Sequence, residues 1–234
     1  MKVVILAGGL GTRISEETAD KPKPMVLIGH RPILWHIMNI YAQQGFTDFV
    51  VATGYKGEVI SEWVDALETD WSISAVDTGL DTQTGGRIKK CMELFPGERL
   101  LATYGDGVGN INLKELMTFH DSHGKFATLT AVRPPARFGY LEISNGQVQH
   151  FGEKNQSNAG WINGGYFALE PQVFSYIQSN SEPFETGALP KLASEGELMA
   201  FEHSGFWQPM DTLREKQDLE KLAKEGNPPW LIDI

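Results

Sequence analysis

Apolar positions along this chain fall into short runs and longer helical stripes that take turns. Val3, Val4, Ile5 and Leu6 form an unbroken run, the pattern of a strand buried on both faces of a parallel sheet. Residues 32–44 then carry Ile33, Leu34, Ile37, Met38, Ile40 and Tyr41 at helical spacing. Pro32 suits the first helical turn and Gly45 suits the stop. Runs at 49–52, 73–76, 100–103 and 127–132 predict further strands, and stretches at 58–67, 86–94 and 113–123 predict helices between them. Such alternation places helices on both faces of one sheet, so a doubly wound α/β fold is expected.

The rhythm changes after Pro134 and Pro135. Segments 140–143 and 148–151 flank Asn145-Gly146, a strong signal for a β-hairpin. A longer strand is expected over 161–169, short helices over 172–177 and 189–195, and a strand over 198–202. A last helix is expected over 212–224, capped by Asp211 or Thr212. This half reads as a smaller, partly antiparallel lobe. The expected division is a single domain over 1–234, with one part at 1–133 and the lobe and C-terminal helix at 134–234.

The sharpest break follows the first strand. Leu6-Ala7-Gly8-Gly9-Leu10-Gly11-Thr12-Arg13 puts three glycines ahead of a permanently charged guanidinium. Such a loop brings backbone N–H groups close to an anion, and arginine suits phosphate oxygens. Lys21-Pro22-Lys23-Pro24-Met25 adds two cations on backbone stiffened by proline. Together these point to a polyphosphate site; the plainer alternative is a flexible strand-to-helix turn with no ligand. A Walker A string is absent, and the dinucleotide fingerprint fails at Ile14, where it needs its last glycine. Tyr104-Gly105-Asp106-Gly107 also follows a strand. Ligands of open α/β sheets bind beyond the carboxyl ends of strands, so the two stretches are expected to share one crevice.

Composition narrows the partners. The 234 residues suffice for a substantial core. A formal net charge of −10 counts against a general nucleic-acid binder, while a few local cations still suffice for an anionic small molecule. No apolar stretch approaches the roughly 20 residues of a membrane helix, and because the sequence opens directly into a strand no signal peptide is expected. The lone cysteine, Cys91, excludes an intramolecular disulfide and suits a reducing cytosol. A cytoplasmic protein without nucleic-acid or membrane partners is expected.

The opening octet followed by Lys-Pro-Lys-Pro-Met resembles the signature of the sugar-phosphate nucleotidylyltransferases. Further stretches are similar to their glucose-1-phosphate cytidylyltransferase branch: Val76-Asp77-Thr78-Gly79, Thr84-Gly85-Gly86-Arg87, Ile162-Asn163-Gly164-Gly165 and Gly205-Phe206-Trp207-Gln208-Pro209-Met210-Asp211-Thr212. The likeness covers nearly the whole chain. It implies a Rossmann-like doubly wound mixed sheet with a smaller sugar-binding lobe, and a homo-oligomer. It also implies a reaction in which CTP and α-D-glucose 1-phosphate give CDP-glucose and pyrophosphate.

Residue by residue, the resemblance implies that the loop from Leu6 and Ala7 through Gly8, Gly9, Leu10, Gly11 and Thr12 to Arg13 wraps the triphosphate, with Arg13 on its leaving end. Lys23 falls on the family's lysine beside the α-phosphate, and Lys21 reads as a solvated or supporting cation. Asp106 and Asp211 match the aspartates that hold Mg²⁺, although alone they also read as a turn residue and a helix cap. Base recognition is expected from the opening loop and from Thr82, Gly86 and Arg87, with the Arg87 guanidinium donating to the base and Gly105 beside the nucleotide. The plainer reading of Arg87 is the start of an amphipathic helix. Gly139, Glu153, Lys154, Asn163 and Gly164 match hexose-phosphate positions, and Tyr104 lines the same cleft or packs nearby.

Two departures from the family pattern stand out. Glu153-Lys154 is followed by Asn155 where the family has proline, and the stretch between Trp63 and Ile73 is short. The second bears on subunit arrangement and substrate choice. His120 and His123 read as helix-terminal or surface residues, His36 as packed, and Cys91 as a buried non-nucleophile. The alternatives are a uridylyl- or thymidylyltransferase and a non-catalytic nucleotide-binding regulator; a dinucleotide oxidoreductase is disfavoured by Ile14.

Overall fold

The computed structural model describes residues 1–134, 140–152 and 160–231. Strand β1 (Lys2–Leu6) runs into short helical turns, which include α1 (Ser15–Thr18) and Lys23–Met25. A small ribbon of β2 (Leu27–Ile28) and β3 (Arg31–Pro32) leads into α2 (Ile33–Ala42). Next come β4 (Asp48–Thr53), α3 (Gly57–Asp65), β5 (Ser72–Asp77), α4 (Thr84–Leu94) and β6 (Leu100–Tyr104). They are followed by β7 (Gly107–Gly109), α5 (Leu113–His123) and β8 (Ala127–Val132). The hairpin β9 (Tyr140–Ser144) and β10 (Gln147–Gly152) turns at Asn145 and Gly146, both at positive φ, as the Asn-Gly pair predicts. Then come β11 (Ile162–Leu169), α6 (Ala188–Ser194), β12 (Leu198–His203), β13 (Trp207–Pro209) and α7 (Leu213–Lys224). The stretch expected as a helix over 172–177 forms a 3₁₀ turn at Pro171–Tyr176.

Seven strands form one mixed sheet in the order β12-β8-β11-β6-β1-β4-β5. All are parallel except β11, which runs antiparallel between β6 and β8. Alternate residues of β1 serve opposite faces. Val3 and Ile5 pack with α2 and Trp230, whereas Val4 and Leu6 pack with Ile88 of α4 and Leu192 of α6. Burial on both faces is why β1 reads as an unbroken apolar run. Among the described residues, no helix is long and apolar enough to cross a membrane.

Two features of this topology build a site. From β1 the chain pairs β4 and β5 on one side and then crosses to β6 on the other, so the carboxyl ends of β1 and β6 lie at the switch point. The Gly105 N–H donates to the Leu6 carbonyl at 3.0 Å and joins those ends. Because β11 is reversed, its first residues, Ile162 and Asn163, arrive at that same carboxyl edge.

Candidate active site

Lys23 lies in a one-turn 3₁₀ segment that follows the extended Pro22, and it is 7% exposed. Its Nζ donates to Asp106 Oδ2 at 2.7 Å and to Asp211 Oδ1 at 2.6 Å, while Arg13 Nη1 reaches Asp211 Oδ2 at 2.6 Å. Burial alone would lower the Lys23 pKa, but the charges and hydrogen bonds of the two aspartates outweigh it and hold it above the ordinary lysine value.

The aspartates are more than a hundred residues apart in sequence and meet for a local reason. Asp106 precedes β7 and Asp211 follows β13, and these short strands pair antiparallel, with Gly107 opposite Pro209. Met210 N–H donates to the Asp106 carbonyl at 2.8 Å and extends the ribbon. At the other end, Thr212 caps α7 in a reciprocal box with Glu215, and Glu215 Oε2 also accepts the Asp211 N–H at 2.8 Å. A helix cap legible as Thr-x-x-Glu thus fixes the backbone of the second aspartate.

The cluster opens onto a cavity of about 1430 Å³ lined by residues 6–13, Lys23, Thr82, Arg87, Tyr104, Gly105, Asp106, Asn163, Gly164 and Asp211. Lys21 and Gly86 are not among the lining residues. The place of Gly86 has its own cause: a Cβ there would fall 2.2 Å from the Asn180 carbonyl oxygen, so the glycine admits a neighbouring loop rather than a ligand. Gly139, Glu153 and Lys154 lie outside the described residues.

Arg87 departs from its expected role as a free donor. It is 4% exposed; Nη1 donates to the Thr53 carbonyl at 2.7 Å and to the Thr78 hydroxyl, and Nη2 to the Gly8 carbonyl at 2.9 Å. Nη2 also lies 3.5 Å from the Leu80 carbonyl. Its guanidinium ties the glycine loop to the ends of β4 and β5 instead of facing the cavity unpartnered. Thr82 is likewise committed, donating to the Thr78 carbonyl at 2.5 Å.

Cys91 is buried, and burial pushes its thiol up to about 12, which removes it as a nucleophile. His36 is packed as expected, between the Ile28 carbonyl and the Trp230 indole. His120 is helix-terminal as expected, in the last turn of α5, but it is not at the surface: it is 1% exposed and bonded to Thr128 and Glu170 at the opposite edge of the sheet. Glu185 lines the cavity with no periodicity or motif to announce it.

Two positively charged side chains meet two carboxylates beneath a glycine loop at the switch point of a doubly wound sheet, an arrangement chemically suited to phosphate oxygens. The family model for nucleotidyl transferases matches residues 2–215. The chain belongs to the nucleotidyl transferase family. This nucleotidyl transferase is 49% identical over 253 aligned positions to the glucose-1-phosphate cytidylyltransferases of Salmonella typhi and Salmonella typhimurium, covering 98% of each chain. Among solved structures it is similar to HddC from Yersinia pseudotuberculosis complexed with GMP-PN, at 25% identity and a TM-score of 0.75, covering 94% of this chain and 98% of that one. UDP-glucose pyrophosphorylase complexed with UDP-glucose shares the fold, with a TM-score of 0.75 at 16% identity over 97% of this chain and 99% of that one.

Proposed function

We propose that the chain transfers a cytidylyl group from CTP to α-D-glucose 1-phosphate, giving CDP-glucose and pyrophosphate. The observation that carries the reading is the Lys23–Asp106–Asp211–Arg13 cluster at the floor of the cleft, in a chain nearly half identical to proteins named for that reaction. A phosphate oxygen of the sugar phosphate attacks the α-phosphorus of CTP in line. The bond to the bridging oxygen breaks, and pyrophosphate leaves. No side chain need act as nucleophile, so the protein's task is to position two polyanions and offset their charge.

Residues 6–13 supply backbone donors and Arg13 for the β- and γ-phosphates. Lys23, held above its ordinary pKa, stays cationic beside the α-phosphate. Two hard carboxylates that already converge on one ammonium are a donor set suited to a divalent cation. Asp106 and Asp211 would hold Mg²⁺, which when bound neutralises and polarises phosphate oxygens. Exposed Leu10 and Leu80 flank the cavity and offer apolar surface to the base. Asn163, Gly164 and Tyr104 face the sugar side, on the reversed strand β11 and the end of β6.

The test is pyrophosphate release with CTP, UTP, dTTP, ATP and GTP, each crossed with several hexose 1-phosphates. Highest kcat/KM for CTP with glucose 1-phosphate is the expected result. A higher value for another nucleotide would overturn the base assignment, and no turnover with any pair would overturn the reaction.

A further inference from the structure

One carboxylate reaches the cleft from a segment outside the charged cluster. Glu185 lies on the connection between the Pro171–Tyr176 turn and α6. Its Oε1 accepts from the Tyr104 hydroxyl at 2.5 Å, and its Oε2 accepts from the Thr84 hydroxyl at 2.7 Å. The Tyr104 oxygen accepts in turn from Asn163 Nδ2 at 3.0 Å, and Asn163 Oδ1 accepts from the Gly165 N–H at 2.9 Å.

The sense of each bond is forced. An ionised carboxylate only accepts, so Tyr104 must donate to Glu185 and offer its lone pair to the Asn163 amide. The amide cannot flip, because a backbone N–H holds its carbonyl oxygen. Asn163 is left with a second N–H in a fixed direction. The ring is pinned as well: a Cβ on Gly165, which has φ +79°, would fall 2.3 Å from it, and Phe167 meets it edge-on at 5.7 Å.

The segment carrying Glu185 is itself anchored. Gln83 N–H donates to the Asn180 carbonyl at 2.9 Å, and Phe184 N–H donates to the Thr84 hydroxyl at 2.8 Å. The carboxylate is therefore delivered to Tyr104 by a segment seated on the start of α4.

We propose that Glu185 is a positioning residue for the sugar-phosphate side of the cleft, acting through Tyr104 to fix the donor that Asn163 presents. The proposal rests on the reading of the cleft as a nucleotidyl-transfer site. Glu185→Ala should raise the KM for the sugar phosphate roughly ten- to a hundredfold, the range for losing a hydrogen bond to a charged group. CTP affinity, measured by calorimetry without the sugar, should stay within about twofold, because Thr84 keeps its bond from Phe184. Glu185→Gln still accepts from Tyr104 and should recover most of the loss. In a Tyr104→Phe background Glu185→Ala should add little, since both changes break one chain of bonds. Equal losses for both substrates, additive effects in the double variant, or an unchanged KM would overturn the proposal.

Inactive wild-type protein would overturn the reaction and leave this question to a substrate-free measurement. The Asn163 side-chain amide protons, assigned by NMR with Asn163→Asp, should shift in both Glu185→Ala and Tyr104→Phe; unmoved signals would overturn the positioning role.

Discussion

Two charged clusters sit at opposite edges of the same sheet, and their comparison separates chemistry from architecture. At the carboxyl edge, Lys23 and Arg13 meet Asp106 and Asp211 at the wall of a large cavity. At the amino edge, Arg99 joins Asp121 and Glu170, and Glu170 also meets His120, with Thr128 and His123 beyond. By residue type, two histidines would make the second cluster a candidate for acid–base chemistry. Its hydrogen bonds say otherwise. Lys125 N–H donates to His123 Nδ1 at 2.9 Å, so His123 must donate from Nε2 to Thr128. Thr128 then donates to His120 Nδ1, and His120 Nε2 donates to Glu170 at 3.2 Å. Every ring nitrogen is committed within the chain, and neither histidine lines the cavity. Charge clusters become sites where their partners can be exchanged for a ligand, and structural braces where they cannot.

The largest effects should fall on the cavity side. Lys23→Ala and Asp106→Asn should each lower turnover by about a hundred- to a thousandfold or more, the scale seen when a transition-state charge loses its fixed partner. Far-UV circular dichroism should stay native; full activity in either variant would erase the contrast between the clusters. Arg87→Ala should come next. It releases the Gly8 and Thr53 carbonyls, and should raise the CTP dissociation constant about tenfold while costing about 1–3 kcal/mol of stability. Unchanged CTP binding, measured by calorimetry, would show that the loop needs no such tie.

The amino edge should respond in stability alone. His120→Ala leaves Glu170 and Thr128 short of a buried partner and should cost about 1–3 kcal/mol in urea unfolding, with kcat/KM of the folded protein within about twofold. A large loss of activity at native stability would move this cluster into the catalytic machinery. The smallest effect is one of pH. Burial lowers the His120 pKa below 6.5, with Arg99 and His123 acting in the same direction and Glu170 opposing them. His123 is lowered too, by burial and Lys125, against Asp121 and Glu197, and burial lowers His36 as well. Near pH 6 the unfolded chain therefore binds more protons than the folded one, so stability is full above about pH 6.5 and falls as pH drops through the folded values. Tm should decline from pH 7 toward pH 5, with a shallower slope in His120→Gln. An unchanged slope would mean that His120 does not set it.

Much of this architecture is legible in the sequence. Unbroken apolar runs mark the doubly buried strands, helical spacing marks α2, Asn145-Gly146 marks a hairpin, and Asp211-Thr212 marks a cap, which the structure assigns to Thr212. Arg13 and Lys23 stood out as cations crowded around glycines and prolines in an acidic chain. These are local properties, set by burial period and backbone preference over a few residues, and one sequence suffices to read them. Pairing is not local. The β7–β13 ribbon that joins the two aspartates uses three-residue strands containing glycine and proline, too short for any period to appear. The reversal of β11, which carries Asn163 to the carboxyl edge, leaves alternation along the strand unchanged and so leaves no trace in the pattern. Glu185 and the inward turn of Arg87 depend on which loop packs against α4. The sequence by itself determined which apolar positions are buried and which cations and carboxylates the chain carries; the tertiary structure decided which polar groups are buried and which of them meet, because only chain packing brings distant partners within hydrogen-bond distance.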